Sequence, residues 1–171
     1  MAEETPTPKA ASEETSPRYE ALKIYVKDAS FEAPSTPEIF LKQDAKPEVG
    51  VEVELDFNSM EEEQGILELT LSITVTSRLD GEVMYLAEVK QAGIFQVQHP
   101  QPEARRFITE VTSAHMLLPF AREALNNLIT KGGFSSFLLT PVNFEAIYKD
   151  KLKREEEMIS AASSDAPETI N

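Results

Sequence analysis

The segment from Ile66 to Val97 constrains the fold more than any other part of the chain. Its first half alternates regularly between apolar and polar side chains, and the apolar positions are Leu67, Leu69, Leu71, Ile73 and Val75. Because successive side chains of a strand point to opposite sides, this pattern predicts a strand with one buried and one solvated face. Asp80-Gly81 then predicts a hairpin turn, since glycine adopts positive φ without a Cβ clash.

The return strand of this hairpin has apolar side chains on both faces. Its buried face continues with Val83, Tyr85, Ala87 and Val89. Met84 and Leu86 fall on the face that the alternation predicts to be solvated, and Leu86 lies close to Glu88. Two interpretations of Leu86 are open: burial against a neighbouring subunit or loop, or the apolar centre of a docking patch with acidic side chains around it.

Two further strands are predicted before the hairpin. The first runs to Glu32, with alternating apolar residues at Leu22, Ile24 and Val26. Prolines 34 and 37 end it, because proline fixes φ and removes a donor, and a crossover loop with Ile39, Phe40 and Leu41 follows. The second strand has an apolar side made of Val49, Val51, Val53, Leu55 and Phe57. Four strands joined mostly by short connections predict an antiparallel sheet with one buried face.

After His99 the apolar period changes from two residues to that of a helix. Pro119 lies within this helical segment, where it should start a new helix or kink a continuous one. Beyond it Gly132-Gly133 predicts the end of the helix, a loop rich in apolar residues follows, and Asn143 is a suitable N-cap for a second helix. The sequence therefore predicts an α+β fold in which a four-stranded antiparallel sheet packs with two C-terminal helices.

The apolar stripe of the first helix is wider than one sheet face requires. It contains Leu117, Leu118, Ala121, Leu125, Leu128 and Ile129. Helix pairing between subunits would bury the surplus, and on this interpretation Leu117, Leu118, Leu125 and Leu128 form an oligomer interface. The alternative is that the whole stripe belongs to the core of one chain.

The composition indicates one domain and excludes several classes of partner. A chain of 171 residues is long enough for one sizeable core, predicted here over residues 18–154, and the acidic or Ala/Ser/Glu-rich ends, 1–17 and 155–171, are predicted to be disordered. A net charge of −14 argues against nucleic acid and anionic membranes as partners. The sequence has neither a signal peptide nor a run of roughly 20 apolar residues, which predicts a cytoplasmic protein.

An enzymatic function is not indicated by any motif. The chain has no cysteine, and its two histidines, His99 and His115, lack the spacing of metal ligands. Neither a glycine-rich phosphate loop nor a nucleophile elbow is present. We therefore expect a protein without a catalytic site, metal or cofactor.

Four strings resemble one family. IYVKDASFEAP at 24–34, AEVKQAGIF at 87–95, LLPFARE at 117–123 and LTPVNFEAIY at 139–148 are similar, in order and spacing, to the SecB protein-export chaperones. Together they cover the chain from about Tyr19 to Leu152. One departure lies near Ala45, where some members of the family carry a tryptophan before the second strand and this chain does not.

The resemblance implies an ATP-independent chaperone that holds unfolded secretory precursors and delivers them to the SecA motor. It also implies a homotetramer built as a dimer of dimers. The motor contacts of the family fall on Asp28, Glu32, Leu86 and Glu88 of this sequence. Leu86 and Glu88 are the pair that the alternation alone marks as anomalous.

A holding chaperone needs weak, sequence-tolerant apolar contacts over a long surface, and the two apolar loops are suitable walls for such a groove. The predicted walls are Phe40, Leu41, Phe134, Phe137 and Leu139, and the predicted floor is Val49, Val51 and Val53. The alternative is that these residues are core. Two other functions stay open: a chaperone of the same fold dedicated to one partner such as an antitoxin, and a small-ligand carrier with a closed pocket.

Overall fold

Four long antiparallel strands form a single sheet in the computed structural model, which describes residues 16–42 and 46–164, the side chains of the last helix only to residue 161. The strands are β1 (Arg18–Glu32), β2 (Glu48–Glu61), β3 (Ile66–Leu79) and β4 (Glu82–Gln98). Their order in the sheet is β1-β4-β3-β2, so β1 and β2 are the edges. The predicted fold class is confirmed.

The hairpin between β3 and β4 turns where the sequence predicts. Asp80 and Gly81 both have positive φ, 52° and 84°, which suits the tight turns that connect twisted strands. Leu79 is directly opposite Glu82, and pairing continues along the whole of β3. The alternating apolar residues of β3 are buried, as the sequence predicts.

The first strand departs from regular alternation. Two register shifts leave Leu22 and Lys27 as extra residues relative to β4. A bulge of this kind moves the following side chains to the other side of the strand. Leu22, the extra residue of the first shift, is 44% exposed, whereas Ile24 packs against the core. Val26 shares the face of Ile24, because no shift lies between them, yet it is 50% exposed.

One continuous helical segment follows the sheet. It consists of α1 (Pro102–Phe107), a π-helical turn (Ile108–Thr112) and α2 (Ser113–Lys131). Pro119 lies inside α2, so it does not start a new helix. The π-helical turn brings Glu110 into a buried position, and Ser113 donates both its backbone N–H and its hydroxyl to the carbonyl of Ile108.

The core lies between one face of the sheet and α2. Leu117, Leu118 and Leu125 are buried by the chain's own sheet, and Leu128 packs against the same core. The prediction that these leucines form an oligomer interface is wrong for Leu117, Leu118 and Leu125, which are already buried within one chain, whereas Leu128 is half-buried. The whole stripe belongs to the intramolecular core, which was the alternative interpretation.

The last helix, α3 (Phe144–Ser164), extends well past the predicted end of the domain. Residues 155–164 are helical, so the prediction of a disordered tail from 155 onward is wrong for that part. The cause is visible at Glu155, whose carboxylate accepts a hydrogen bond of 2.7 Å from Arg106 and so ties α3 to α1. The predicted N-terminal tail as far as residue 15, the site of the missing aromatic at Ala45 and residues 165–171 lie outside the described residues.

Candidate functional site

Four aromatic rings, which we call the aromatic cluster, meet at one end of the sheet on its helix-facing side. Phe134 lies at the centre, with ring centroids 4.8 Å from Tyr85 and 5.1 Å from Phe40. Phe31 is 6.0 Å from Tyr85 and 6.2 Å from Phe134. Such tilted and offset pairs are the arrangement that aromatic side chains prefer. The cluster therefore joins the crossover loop, two strands and the loop after α2.

The loop after α2 is held in place by a glycine and an asparagine. A Cβ on Gly132 would lie 2.2 Å from the ring of Phe31, so only glycine allows this close approach. The side-chain oxygen of Asn126 accepts hydrogen bonds from the Ser136 hydroxyl, at 2.9 Å, and from the backbone N–H of Phe137, at 3.2 Å. The aromatic residues of the loop are therefore fixed over the sheet.

An open cavity of about 350 Å³, which we call the apolar groove, lies beside the aromatic cluster. It is lined by Pro47, Val49, Ser77, Met84, Tyr85, Phe134, Ser135, Ser136 and Phe137. Three residues predicted from the sequence, Val49, Phe134 and Phe137, meet here. The lining is mostly apolar and includes three serines, which suits sequence-tolerant binding of an extended apolar segment.

The predicted floor of the groove is open to solvent at one end. Val49 and Val51 are 42% and 39% exposed, whereas Val53 is half-buried. Further along the same side of β2, Leu55 and Phe57 lie under α3. The helices therefore leave the first half of this edge strand uncovered.

Two of the predicted wall residues are placed differently. Leu139 is buried in the core, so the prediction that it contacts a client is wrong. Leu41 is 82% exposed, while its neighbour Phe40 packs on Phe134. Tyr85 is a wall residue that the sequence did not predict. Alternation places it on the core side of β4, but it does not show how far along the strand the helices cover that side.

The phenol of Tyr85 is less easily ionised than that of a free tyrosine. Burial raises the pKa of its phenol, and a hydrogen bond with Ser77 partly offsets this effect. Because the neutral form is the one that suits an apolar wall, the ring presents no charge to the groove at neutral pH.

The four residues assigned by resemblance to the motor lie together on the opposite face of the sheet, which we call the acidic face. Glu32 is directly opposite Leu86, Ser30 is opposite Glu88, and Asp28 is opposite Lys90. Side chains of directly opposed residues share one face of a sheet. Asp28 and Glu32 are exposed, and Leu86 and Glu88 are half-buried, so the pair of strands β1 and β4 presents them as one surface.

A buried carboxylate supports the middle of the acidic face. Glu68 is almost fully buried, and it accepts hydrogen bonds from Lys27, at 2.7 Å, and from the hydroxyl of Tyr25. The Lys27 bond, followed by the Tyr25 bond, lowers the pKa of Glu68, and the bond to Glu68 raises the pKa of Tyr25. Glu68 therefore stays ionised and is fully engaged within the chain.

The acidic face and the apolar groove lie on opposite sides of the sheet, and the strand that contributes to both is β4. Glu32 follows Phe31 of the aromatic cluster, and Leu86 follows Tyr85. Successive side chains of a strand point to opposite faces, so one sheet layer separates the two surfaces. A partner on the acidic face and an apolar segment in the groove can therefore bind at the same time.

Within residues 16–42 and 46–164, no cluster of three or more histidine or acidic side chains could hold a metal ion. No helix in the same part of the chain is sufficiently long and apolar to cross a membrane.

Comparison with known proteins gives consistent matches over most of the chain. The family model described as preprotein translocase subunit SecB matches residues 12–155. Protein-export protein SecB of Methylobacillus flagellatus is 39% identical over 164 residues, which covers 96% of this chain and 99% of that protein. The protein of the same name from Ectopseudomonas mendocina is 39% identical over 163 residues, which covers 95% and 99%.

A solved structure shares the fold at lower sequence identity. The SecB-like chaperone of Mycobacterium tuberculosis, solved in complex with a peptide from an antitoxin, superposes with a TM-score of 0.61 at 15% identity. The match covers 73% of this chain and 91% of that chain.

Proposed function

The chain belongs to the SecB family of preprotein translocase subunits, and from this premise we infer that it is an ATP-independent holding chaperone for unfolded secretory precursors. The observation that carries this conclusion is the apolar groove, which is open, apolar and continuous with two exposed valines of an edge strand. Proteins of the family are chaperones, and holding requires no chemistry. The expected absence of a catalytic site agrees with that role.

The groove suits an unfolded chain because its contacts are apolar and additive. Burying one Phe or Leu side chain stabilises a complex by roughly 1.5–3 kcal/mol, so a few such contacts give useful affinity without sequence specificity. Several grooves in one assembly would raise the apparent affinity further by avidity. A folded client has few such side chains exposed and would not bind.

We propose that the acidic face docks the SecA motor through Asp28, Glu32, Leu86 and Glu88. The arrangement that supports this proposal is a half-buried leucine with exposed carboxylates in the rows around it. An interface of this type combines an apolar centre with charges that steer a basic partner. The separation of this face from the groove would let the motor bind a loaded chaperone.

We further propose a homotetramer, a dimer of dimers, that acts in the cytoplasm. The surfaces available for assembly differ from the predicted leucines. On α2 the exposed apolar residues are Met116, at 37%, and Phe120, at 48%. Leu22 and Val26 of edge strand β1 are also exposed, and Tyr19 of this strand contacts Met116. Burial of these side chains against further copies of the chain would stabilise the assembly.

Two pairs of substitutions test the separation of the surfaces. Val49→Ser with Val51→Ser should weaken binding of a fluorescently labelled, urea-unfolded precursor without affecting SecA binding. Leu86→Ala with Glu88→Gln should abolish SecA binding and leave precursor binding intact. Fluorescence anisotropy of the labelled precursor and calorimetry with purified SecA measure the two interactions. An equal loss of precursor binding in both variants would contradict the assignment of two surfaces.

A chaperone dedicated to one partner remains the second candidate, since the solved SecB-like chaperone contains an antitoxin peptide. The clustering of the four acidic-face residues favours the export role, because a dedicated chaperone has no need of a motor. If the protein binds several unrelated unfolded proteins, a dedicated role is excluded. If it binds only one of them, a dedicated role is supported.

A further inference from the structure

Two lysines of the acidic face are each paired with one of its carboxylates. Lys27 contacts Glu68 at 2.7 Å, and Lys90 contacts Glu88 at 3.3 Å. Asp28 and Glu32 make no ion pair with any residue that the structure describes. Of the three proposed docking carboxylates, Glu88 is therefore the one that is already paired with a base among the described residues.

The two lysine pairs differ in how easily a partner could disrupt them. The side chain of Glu68 is only 11% exposed and also binds Tyr25, so this pair is closed to competitors. Glu88 is 29% exposed and Lys90 is 42% exposed, and the distance between their charged groups is longer. An exposed ion pair of this kind contributes little stability, about 0–1 kcal/mol, and exchanges readily.

We propose that Lys90 determines the specificity of docking on the acidic face by competing with the incoming base for Glu88. The proposal rests on the proposed function, in which Glu88 contacts the SecA motor. The position of Lys90 supports it: the residue shares the face and strand of Glu88, two residues away, and is directly opposite Asp28. A partner base aimed at Glu88 must therefore displace the positive charge of Lys90.

The competition selects for a particular partner chemistry. A lysine of the partner would only replace the ammonium group of Lys90 at Glu88 with its own, so the binding free energy would change little. An arginine forms two parallel hydrogen bonds with a carboxylate and is more weakly hydrated, so it displaces Lys90 more effectively. Lys90 therefore favours a partner segment that presents arginine over one that is merely basic.

The test compares the full-length Lys90→Gln and Lys23→Gln proteins for binding to purified SecA by calorimetry. Lys23 lies on the same face of β1, opposite Ile94, and makes no ion pair with a described residue. Both substitutions remove one positive charge, so the control reports the long-range effect alone. We expect Lys90→Gln to tighten binding by about three- to tenfold, the range of one or two exposed charge pairs, and Lys23→Gln by less than about twofold.

The same comparison in a Glu88→Gln background shows whether Lys90 acts through Glu88. There the advantage of Lys90→Gln over Lys23→Gln should disappear. If wild type binds SecA and Lys90→Gln binds no more tightly than Lys23→Gln, docking stands and the role of Lys90 is wrong. If neither wild type nor either lysine variant binds SecA, the proposed docking itself is wrong and the role of Lys90 falls with it.

Discussion

Glu68 is a carboxylate of the acidic face that has a structural role. It belongs to a strand whose alternation places it among solvated side chains, yet the extra residue at Lys27 brings an ammonium group over it. The carboxylate is buried beneath Lys27 and Tyr25 and cannot reach a partner. The nearby carboxylates of Asp28 and Glu32 are exposed and can contact a partner.

We predict that Lys27→Met destabilises the protein at neutral pH by about 1–2 kcal/mol, because a buried carboxylate loses a charged hydrogen-bond donor. The pKa of Glu68 is lowered in the folded state, so its contribution is present above the pKa of the unfolded chain and is lost as the pH falls through the folded value. The difference from wild type should therefore shrink in acid. Urea unfolding at several pH values measures it.

Lys23→Met is the matched control, since it removes a lysine of the same face that has no ion pair among the described residues. It should change the free energy of unfolding by less than about 0.5 kcal/mol. Equal effects of the two substitutions, or a Lys27→Met effect that grows in acid, would contradict the assigned role of Glu68.

The sequence predicted the positions of candidate functional residues only where a simple period places them. Leu86 and Glu88 stood out because alternation marked them as solvated, and the register of β4 confirms that they share a face. Asn126 could not be recognised in advance. Its role depends on a loop ten residues away, which no local pattern indicates.

At the scale of elements, the C-terminal part of α3 is held by ion pairs rather than by buried apolar side chains. Its last part is rich in Ala, Ser and Glu and has few large apolar residues. Arg106 links Glu155 of α3 to Glu110 of the π-helical turn, and Lys151 reaches Glu110 at 2.8 Å. The bond from Arg106 lowers the pKa of Glu155, so the link is strongest when this carboxylate is ionised.

We predict that Arg106→Gln loosens the C-terminal part of α3. The substitution removes the cation shared by Glu110 and Glu155, so residues 156–164 should open more often. Hydrogen exchange followed by mass spectrometry should show severalfold faster exchange there, with little change in β3 and β4. Added salt should produce a smaller effect in the same direction, because it screens exposed ion pairs.

The neighbouring Arg105→Gln serves as the control, because Arg105 makes no ion pair with the part of the chain that the structure describes. It should leave exchange in α3 unchanged. If both substitutions accelerate exchange equally, the ion pairs of Arg106 are not what holds the helix.

Element boundaries were predictable where the pattern is local and were missed where a distant residue decides. The β3-β4 hairpin follows from its alternation and its Asp-Gly turn. The bulges in β1 and the extension of α3 result from pairing with β4 and with α1, respectively. Neither pairing leaves a periodic trace in the sequence of the element itself.

For the whole molecule, the apolar surface left by one chain indicates how copies would associate. The sheet buries one side of α2 and leaves Met116 and Phe120 exposed on another. We predict that Phe120→Glu lowers the oligomeric state, because it would place a carboxylate in an apolar subunit interface. Sedimentation velocity should show a smaller species than wild type at the same concentration.

Leu138→Glu provides the control for assembly, since Leu138 is 86% exposed in the loop between α2 and α3. It introduces the same charge away from α2 and should leave the oligomer intact. An unchanged sedimentation coefficient for Phe120→Glu would show that this face of α2 does not lie between subunits.

The fold class of the molecule could be predicted from the sequence, whereas the surface that we propose for assembly could not. Alternation and helical period together predicted the four-stranded sheet with its helices, and the resemblance implied the family. The width of the apolar stripe on α2 led to the wrong prediction of an oligomer interface. A helix packed on a long twisted sheet buries a wide part of its circumference, so a wide stripe can belong to one core. Only the folded structure distinguishes the leucines of α2 that face the sheet from the apolar residues that remain exposed for contact with another subunit.

The central claim is that the protein holds unfolded chains and ignores folded ones. Native mass spectrometry of the protein alone, and after mixing with a urea-unfolded secretory precursor, tests this most directly. We predict a species of four chains that takes up the unfolded precursor and takes up none of the same precursor once it has folded. A species that binds no unfolded chain, or that binds the folded precursor equally well, would contradict the holding function.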